Sequence, residues 1–363
     1  MAKKHQIFTT ELLKWYQHNA RQLPWRAAKK PYEVWLSEII LQQTRMAQGL
    51  PYYKRFLAAY PTVQDLANST EKEVLRLWQG LGYYTRARNL HKCAQYVTTH
   101  LNGVFPRRYA DLIKLPGIGP YTAAAIASIA FNEPVATVDG NVYRVLARIF
   151  GIEKDISLPN VQTDFRALAH SLMDYHRPGE FNQALMEFGA LRCTPKKPHC
   201  QGCPLAKICV ASQTQKQHLL PVKSRKVKIK RRYFYYFLIT FKDKIYLKKR
   251  LQGDIWCGLY DFYLIEKAHA TTLAELNTPL LAAIRQAGIS IKPYEKVYQH
   301  QLTHQKITAT FFYLEVKAQL LREIKKTDLV AVHQKEIATT PMPILIVQFL
   351  ATQYPYKGNN LEK

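Results

Sequence analysis

Acidic residues are scarce. The 363-residue chain holds 26 Asp and Glu against 52 Lys and Arg, a formal net charge of +26. Such an imbalance speaks against a cationic partner. It suits a polyanion, because each neutralised phosphate releases a counterion. Long apolar runs are missing too. No stretch reaches the roughly 18 residues of a membrane span, although hydrophobic residues make up 47%. The segment from Met1 to Gln6 is short and polar, with no apolar signal core. There is no lipidation motif and no strongly basic amphipathic anchor. We therefore expect no membrane association and a cytoplasmic protein, nucleoid-associated if the source is bacterial.

Cysteine is sparse but clustered. Of six cysteines, Cys193, Cys200, Cys203 and Cys209 follow a Cys-x6-Cys-x2-Cys-x5-Cys spacing, while Cys93 and Cys257 stand apart. Without a secretory signal this spacing favours metal ligation over disulfides. The spacing alone leaves an iron–sulfur cluster and zinc both open.

The first two thirds carry apolar residues at helical spacing, as in segments 11–20, 31–45, 71–79, 85–98 and 122–131. Next comes a basic run, Lys223 to Arg232, with seven cations in ten residues. It reads as an exposed linker that can touch DNA. Beyond it, aromatic and β-branched residues dominate 233–241, 244–248, 296–302 and 306–316, which read as strands around a helix at 278–287. The expected architecture is a mainly α catalytic region over 1–216, including a cysteine loop at 193–209. A basic linker follows at 217–232, then an α+β domain at 233–353 and a tail at 354–363.

Three local patterns carry chemistry. Leu115-Pro116-Gly117-Ile118-Gly119-Pro120 joins two helical segments. Gly117 and Gly119 allow a tight turn, and the following helix start offers free N–H groups to a phosphate. Asp139 opens the helix from Asn141, where a carboxylate caps well and can also face a cation. Glu38 lies among apolar neighbours in Tyr32-Glu33-Val34-Trp35-Leu36-Ser37-Glu38-Ile39-Ile40, where desolvation raises a carboxyl pKa. As one helix, 31–45 would place Glu38, Gln42 and Arg45 on one face.

The Leu-Pro-Gly-x-Gly string with Asp139 resembles the helix-hairpin-helix glycosylases of the endonuclease III superfamily. With Leu23-Pro24-Trp25-Arg26, the string around Glu38, 80–90 and 181–190, the chain is similar to the adenine DNA glycosylase (MutY) family. The resemblance implies base excision repair: monofunctional hydrolysis of adenine flipped out of duplex DNA opposite 8-oxoguanine or guanine, by a monomer. It implies that Glu38 protonates adenine and helps activate water, and that Asp139 stabilises the cationic sugar. Tyr121 and Asn141 assist. Bifunctional relatives carry a lysine at the position of Tyr121, and a phenol forms no Schiff base.

The resemblance further places Arg26, Gln42, Gln43, Tyr83, Gly117 and Gly119 at DNA. It makes Cys193, Cys200, Cys203 and Cys209 the ligands of a [4Fe–4S] cluster. It reads the C-terminal part as a Nudix-like 8-oxoguanine recognition domain with Leu302, Thr303 and His304 as its reading loop. There Leu302 replaces the family's usual phenylalanine. No Arg-Glu-x-x-Glu-Glu string follows Gly258, so diphosphate hydrolysis is not expected. Two other readings stay open: a superfamily glycosylase for mismatched thymine or oxidised pyrimidine, and a non-catalytic iron–sulfur redox sensor on DNA.

Overall fold

The computed structural model describes residues 2–27, 30–224 and 229–353. The chain divides into two units, one of residues 1–68 and 89–225, the other of 69–88 and 226–363. The expected tail at 354–363 lies outside the described residues.

The N-terminal half runs through α1 (Ala2–Asn19), α2 (Pro24–Ala27), α3 (Pro31–Leu41), α4 (Met46–Ala59), α5 (Val63–Asn68), α6 (Glu71–Trp78) and α7 (Thr85–His100). It continues through α8 (Tyr109–Leu112), α9 (Pro120–Phe131), α10 (Gly140–Phe150), α11 (Pro159–Ser171), α12 (Pro178–Leu191) and α13 (Val210–Gln213). α6 belongs to the second unit.

In the first unit, Phe8 and Leu12 of α1 pack with Val145 and Leu146 of α10, Phe165 of α11, and Phe181, Leu185 and Phe188 of α12. Fully burying each such side chain stabilises by about 1.5–3 kcal/mol. α3 packs on α9, and α12 touches α1, α9 and α10. Two glycines allow the closest approaches of α12. A Cβ at Gly179 would lie 2.6 Å from the Ser128 carbonyl of α9, and one at Gly189 would lie 2.6 Å from Asn141 Cβ of α10.

α3 is shorter than the periodicity suggests. It ends at Leu41, Gln42 caps it, and Gln43 takes a positive φ of 54°. Arg45 is the N-cap of α4. The common face of Glu38, Gln42 and Arg45 therefore does not exist, because the chain reverses between Gln42 and Arg45.

The second unit holds an eight-stranded mixed sheet among the described residues. Its strands are β1 (Lys230–Phe241), β2 (Lys244–Lys249), β3 (Tyr260–Asp261), β4 (Tyr263–Lys267), β5 (Lys292–Pro293), β6 (Tyr298–Gln301), β7 (Gln305–Glu315) and β8 (Leu329–His333). β1 lies parallel to β7 and antiparallel to β2 and β4. α14 (Pro279–Gln286) places Leu280, Leu281 and Ile284 with Tyr235, Phe237 and Ile239. On the opposite face Tyr236 stacks on Phe311, which stacks on Phe349 of α15 (Ile344–Gln353). Burial on both faces explains why β1 reads as a nearly continuous apolar run.

The basic run from Lys223 to Arg232, read as an exposed linker, is corrected at its C-terminal end, and the segment before it is anchored. Leu220 is buried, and its carbonyl accepts from Arg148 Nε at 3.1 Å. Lys230 to Arg232 begin β1, and Arg232 is buried in ion pairs with Asp254 and Glu266. Residues 225–228 of the run lie outside the described residues. Two carboxylates at side-chain range offset the cost of burying that guanidinium.

Gly189→Ala is expected to cost about 1–3 kcal/mol, the range for overpacking, and to displace the start of α10. Denaturant melts with the alanine variant check it; unchanged stability would mean the two helices separate freely.

Candidate active site

A cavity of about 240 Å³ opens in the first unit, with Glu38, Tyr121, Asp139 and Asn141 on its wall beside Arg26, Met186 and Glu187. The sequence-derived catalytic set is thus brought together from three helices. Glu38 comes from α3, Tyr121 from the first turn of α9, and Asp139 and Asn141 from the start of α10.

Asp139 is the N-cap of α10. Its Oδ1 accepts from the backbone N–H of Asn141 and of Val142, both at 2.8 Å, and its Oδ2 accepts from Asn141 Nδ2 at 2.7 Å. The cap and the candidate site residue are one side chain. Asn141 is held in turn: Arg144 Nη2 donates to its Oδ1 at 2.9 Å and to the Gly189 carbonyl at 2.6 Å. That donor fixes which end of the Asn141 amide faces Asp139.

Glu38 has less support. Burial pushes its carboxyl up to about 7; the hydrogen bond from Tyr121 opposes this, the Asp139 charge adds to it, and Arg26 opposes it. Burial raises Asp139 as well, and its carboxyl stays above its usual value although three hydrogen bonds and Arg144 oppose the rise. The Tyr121 hydroxyl also lies 3.1 Å from Met186 Sδ, and burial lifts its pKa well above the usual phenol value. Near neutral pH the cavity therefore holds a carboxyl poised to give a proton, a second carboxyl with more hydrogen-bond donors and a neutral phenol. Environments that push two carboxyls apart assign an acid and an anion.

Glu187 is the site residue the sequence did not single out. It is buried, and its carboxylate takes both Arg21 and Arg26 in paired hydrogen bonds of 2.5 to 3.1 Å. Desolvation raises Glu187, but these arginines outweigh it and hold it down at about 2. A lone charge in the otherwise uncharged stretch from Phe181 to Ala190 was the available signal, since a buried charge needs a partner. Arg26 therefore serves the cavity wall through Glu187.

Around the cavity, Gln42 Nε2 donates to Thr122 Oγ1 at 3.0 Å, while Gln43 is exposed at the tip of its left-handed turn. Gly117 has φ 72°, and a Cβ there would sit 2.5 Å from Asn89 Cβ; Gly119 is the N-cap of α9. Both glycines thus shape the turn that starts α9.

Cys193, Cys200, Cys203 and Cys209 line one small pocket of the same unit, and none forms a disulfide. Arg148 is buried beside them, with Nη1 3.3 Å from Cys193 Sγ and further bonds to the carbonyls of Thr194 and Pro195. No carboxylate pairs with Arg148 among the described residues. A buried guanidinium facing four thiols suits an anionic thiolate cluster.

In the second unit, Leu302 N–H donates to the Gln305 carbonyl at 2.8 Å, which leaves Thr303 and His304 exposed at the tip of the β6–β7 hairpin. Tyr83 is 48% exposed, has φ 49°, and its hydroxyl hydrogen-bonds to Thr303 Oγ1. Two residues marked separately in the sequence, 220 positions apart, form one surface feature.

Residues 36–170 match the HhH-GPD superfamily of base excision DNA repair proteins, and 235–352 match the NUDIX domain. The adenine DNA glycosylase of Buchnera aphidicola subsp. Acyrthosiphon pisum is 38% identical over 257 residues, covering 70% of this chain and 73% of that protein. The chain belongs to the adenine DNA glycosylase family. The human adenine DNA glycosylase is 46% identical over 222 residues, 59% of this chain and 41% of the human protein. A thermostable thymine-DNA glycosylase superposes with a TM-score of 0.55 at 30% identity, covering 59% of this chain and 98% of that one. A trapped endonuclease III–DNA covalent intermediate gives 0.52 at 25% identity, covering 59% and 98%. The helix-hairpin-helix and Nudix-like fold classes expected from the motifs are thus both matched. No helix among the described residues is long and apolar enough to cross a membrane.

Burial of Glu38 has a stability consequence. A carboxyl raised from 4.5 to about 7 favours its neutral form in the fold. Stability is then full below the unfolded value and falls as pH rises through this window. Glu38→Gln should gain about 3 kcal/mol at pH 8, since a rise from 4.5 to about 7 at about 1.4 kcal/mol per pKa unit amounts to that. It should gain little near pH 4.5. Chemical denaturation at several pH values checks this; a pH-independent difference would refute the burial argument.

Proposed function

We propose that this chain removes adenine from duplex DNA by hydrolysis of the N-glycosidic bond, acting on adenine opposite 8-oxoguanine or guanine. The observation that carries the reading is that Glu38, its carboxyl pushed up to about 7, lines one cavity with the hydrogen-bonded Asp139. Adenine leaves poorly until a ring nitrogen is protonated. Glu38 gives that proton, the C1′–N9 bond breaks, and the bonding electrons go to adenine. The sugar becomes oxocarbenium-like, and the Asp139 carboxylate stabilises it, in parallel with glycoside hydrolysis. Water adds at C1′ and passes its proton to the ionised Glu38, which restores the acid. Tyr121 steadies Glu38 through the ionised stage by donating to it. No amine stands at position 121, so water is the nucleophile.

Cys193, Cys200, Cys203 and Cys209 would hold a [4Fe–4S] cluster. The hydrolysis needs no electron transfer. The cluster's contribution is to order the loop that presents Lys196, Lys197 and Lys207, all exposed, toward phosphates. Gln43, Tyr83 and the turn at Gly117 and Gly119 would meet the duplex, and Leu302, Thr303 and His304 would read the oxidised base. A leucine cannot stack as an aromatic does, so hydrogen bonding by Thr303 carries more of that recognition.

Single-turnover release of adenine from an adenine:8-oxoguanine duplex tests the chemistry, with thymine and uracil mispairs as controls. The rate should fall as pH rises through about 7, where Glu38 loses its proton. It should also fall in acid as Asp139 protonates. Glu38→Gln should lose at least the roughly 10²–10⁴-fold typical of a general acid while still binding the mispair. Near-native turnover by that variant would sink the assignment.

Thr303→Ala should narrow the preference for 8-oxoguanine over guanine about tenfold, the scale of one lost hydrogen bond with its desolvation cost. Competition between the two duplexes measures it.

A further inference from the structure

On one face of the sheet in the second unit, Arg231, Tyr233, Gln299, Lys306 and Thr308 line an open depression of about 200 Å³. The strand register makes it. Arg231 and Tyr233 of β1 stand beside Lys306 and Thr308 of parallel β7, and Thr308 stands opposite Gln299 of β6. We propose that this depression is a phosphate site, which takes a backbone phosphate of a DNA strand.

Two adjacent arginines point to this use. Arg232 turns to the other face, is buried, and is matched by Asp254 and Glu266. Arg231 is exposed, and among the described residues no carboxylate pairs with it or with Lys306. Strand alternation sorts the neighbours, since successive side chains take opposite faces. One cation is structural and the other is left facing water across from a second cation. Two unpaired cations 75 positions apart in sequence, side by side in register, attract an anion. Gln299 and Thr308 add hydrogen-bond donors, and the Tyr233 phenol closes the floor. Uncharged donors beside cations are the common makeup of backbone-phosphate contacts.

Position argues for a strand over a free ion. The depression lies at the base of the β6–β7 hairpin: Gln299 precedes Leu302 on β6, and Lys306 follows His304 on β7. The start of β1 is tied to that hairpin, since Lys230 N–H donates to the His304 carbonyl at 2.9 Å. A duplex read by Thr303 and His304 would have its backbone within reach. This last step rests on the reading of that hairpin as a DNA contact.

The test uses the full chain, with Arg231 and Lys306 both changed to Gln, and a fluorescent duplex without damage or mispair. Its outcome therefore does not depend on which base the enzyme removes. Anisotropy titrations over a salt series should show the slope of log affinity against log salt reduced by about 1, the value for one lost phosphate contact. Affinity at moderate salt should fall about fivefold to tenfold. The control changes Lys317 and Lys335, exposed in the same domain, to Gln. An equal reduction in the control would reduce the effect to general charge and overturn the site. An unchanged slope in the double variant with an intact thermal melt would overturn it too. So would saturable binding of a free deoxynucleoside monophosphate at Gln299 and Thr308 with an unaltered duplex slope.

Discussion

Two carboxyl groups share one cavity, half-buried among its walls, and they cannot both carry charge cheaply. In a low-dielectric site the second charge meets both the loss of hydration and repulsion from the first. The protein settles this by unequal provision. Asp139 receives two backbone N–H groups, an amide and the positive end of a helix. Glu38 receives chiefly one hydroxyl, and that hydroxyl has a sulfur acceptor as a competitor. The proton accordingly rests on Glu38. The division of labour between acid and anion follows from how many donors each side chain is given.

The scaffold serves that inequality. The donors to Asp139 exist only because α10 starts where it does, and Gly189 lets α12 approach that start closely. Arg144 ties Asn141 to the Gly189 carbonyl and also donates to the Cys193 carbonyl at 2.7 Å. The opposite wall is fixed by Glu187, whose two arginines occupy both of its oxygens. A third carboxyl in the cavity would compete for the proton if it were free. Its low pKa keeps it ionised and out of the exchange.

Much of this was legible where the signal was local. Asp139 before a helix start, the two glycines of the hairpin and Glu38 among apolar neighbours are all short-range patterns, and all lie where those patterns place them. The cysteine spacing likewise marks one pocket. Helix length was not legible, because the residues after Leu41 keep an acceptable periodicity. What ends α3 is the left-handed turn at Gln43, a residue with no strong preference for it. The roles of Glu187 and Arg26 depend on a contact across 161 positions, and no spacing rule reaches that far. The basic run near residue 228 shows the same limit: composition marked it as solvated, whereas strand alternation buries one of its arginines.

The second unit spends several of its acids on internal ion pairs. α14, the helix packed on the sheet, reads Pro-Leu-Leu-Ala-Ala-Ile-Arg-Gln and has no carboxylate to offer a divalent cation. The acids near the start of the sheet are already committed: Asp254 and Glu266 to Arg232, and Asp261 to Arg250 at 2.7 Å. Acids spent on internal pairs leave the cations beside them, such as Arg231, without a counter-charge, and such a surface favours an anion. The same layers can therefore carry different chemistries, since function resides in the placed side chains and not in the layers that carry them.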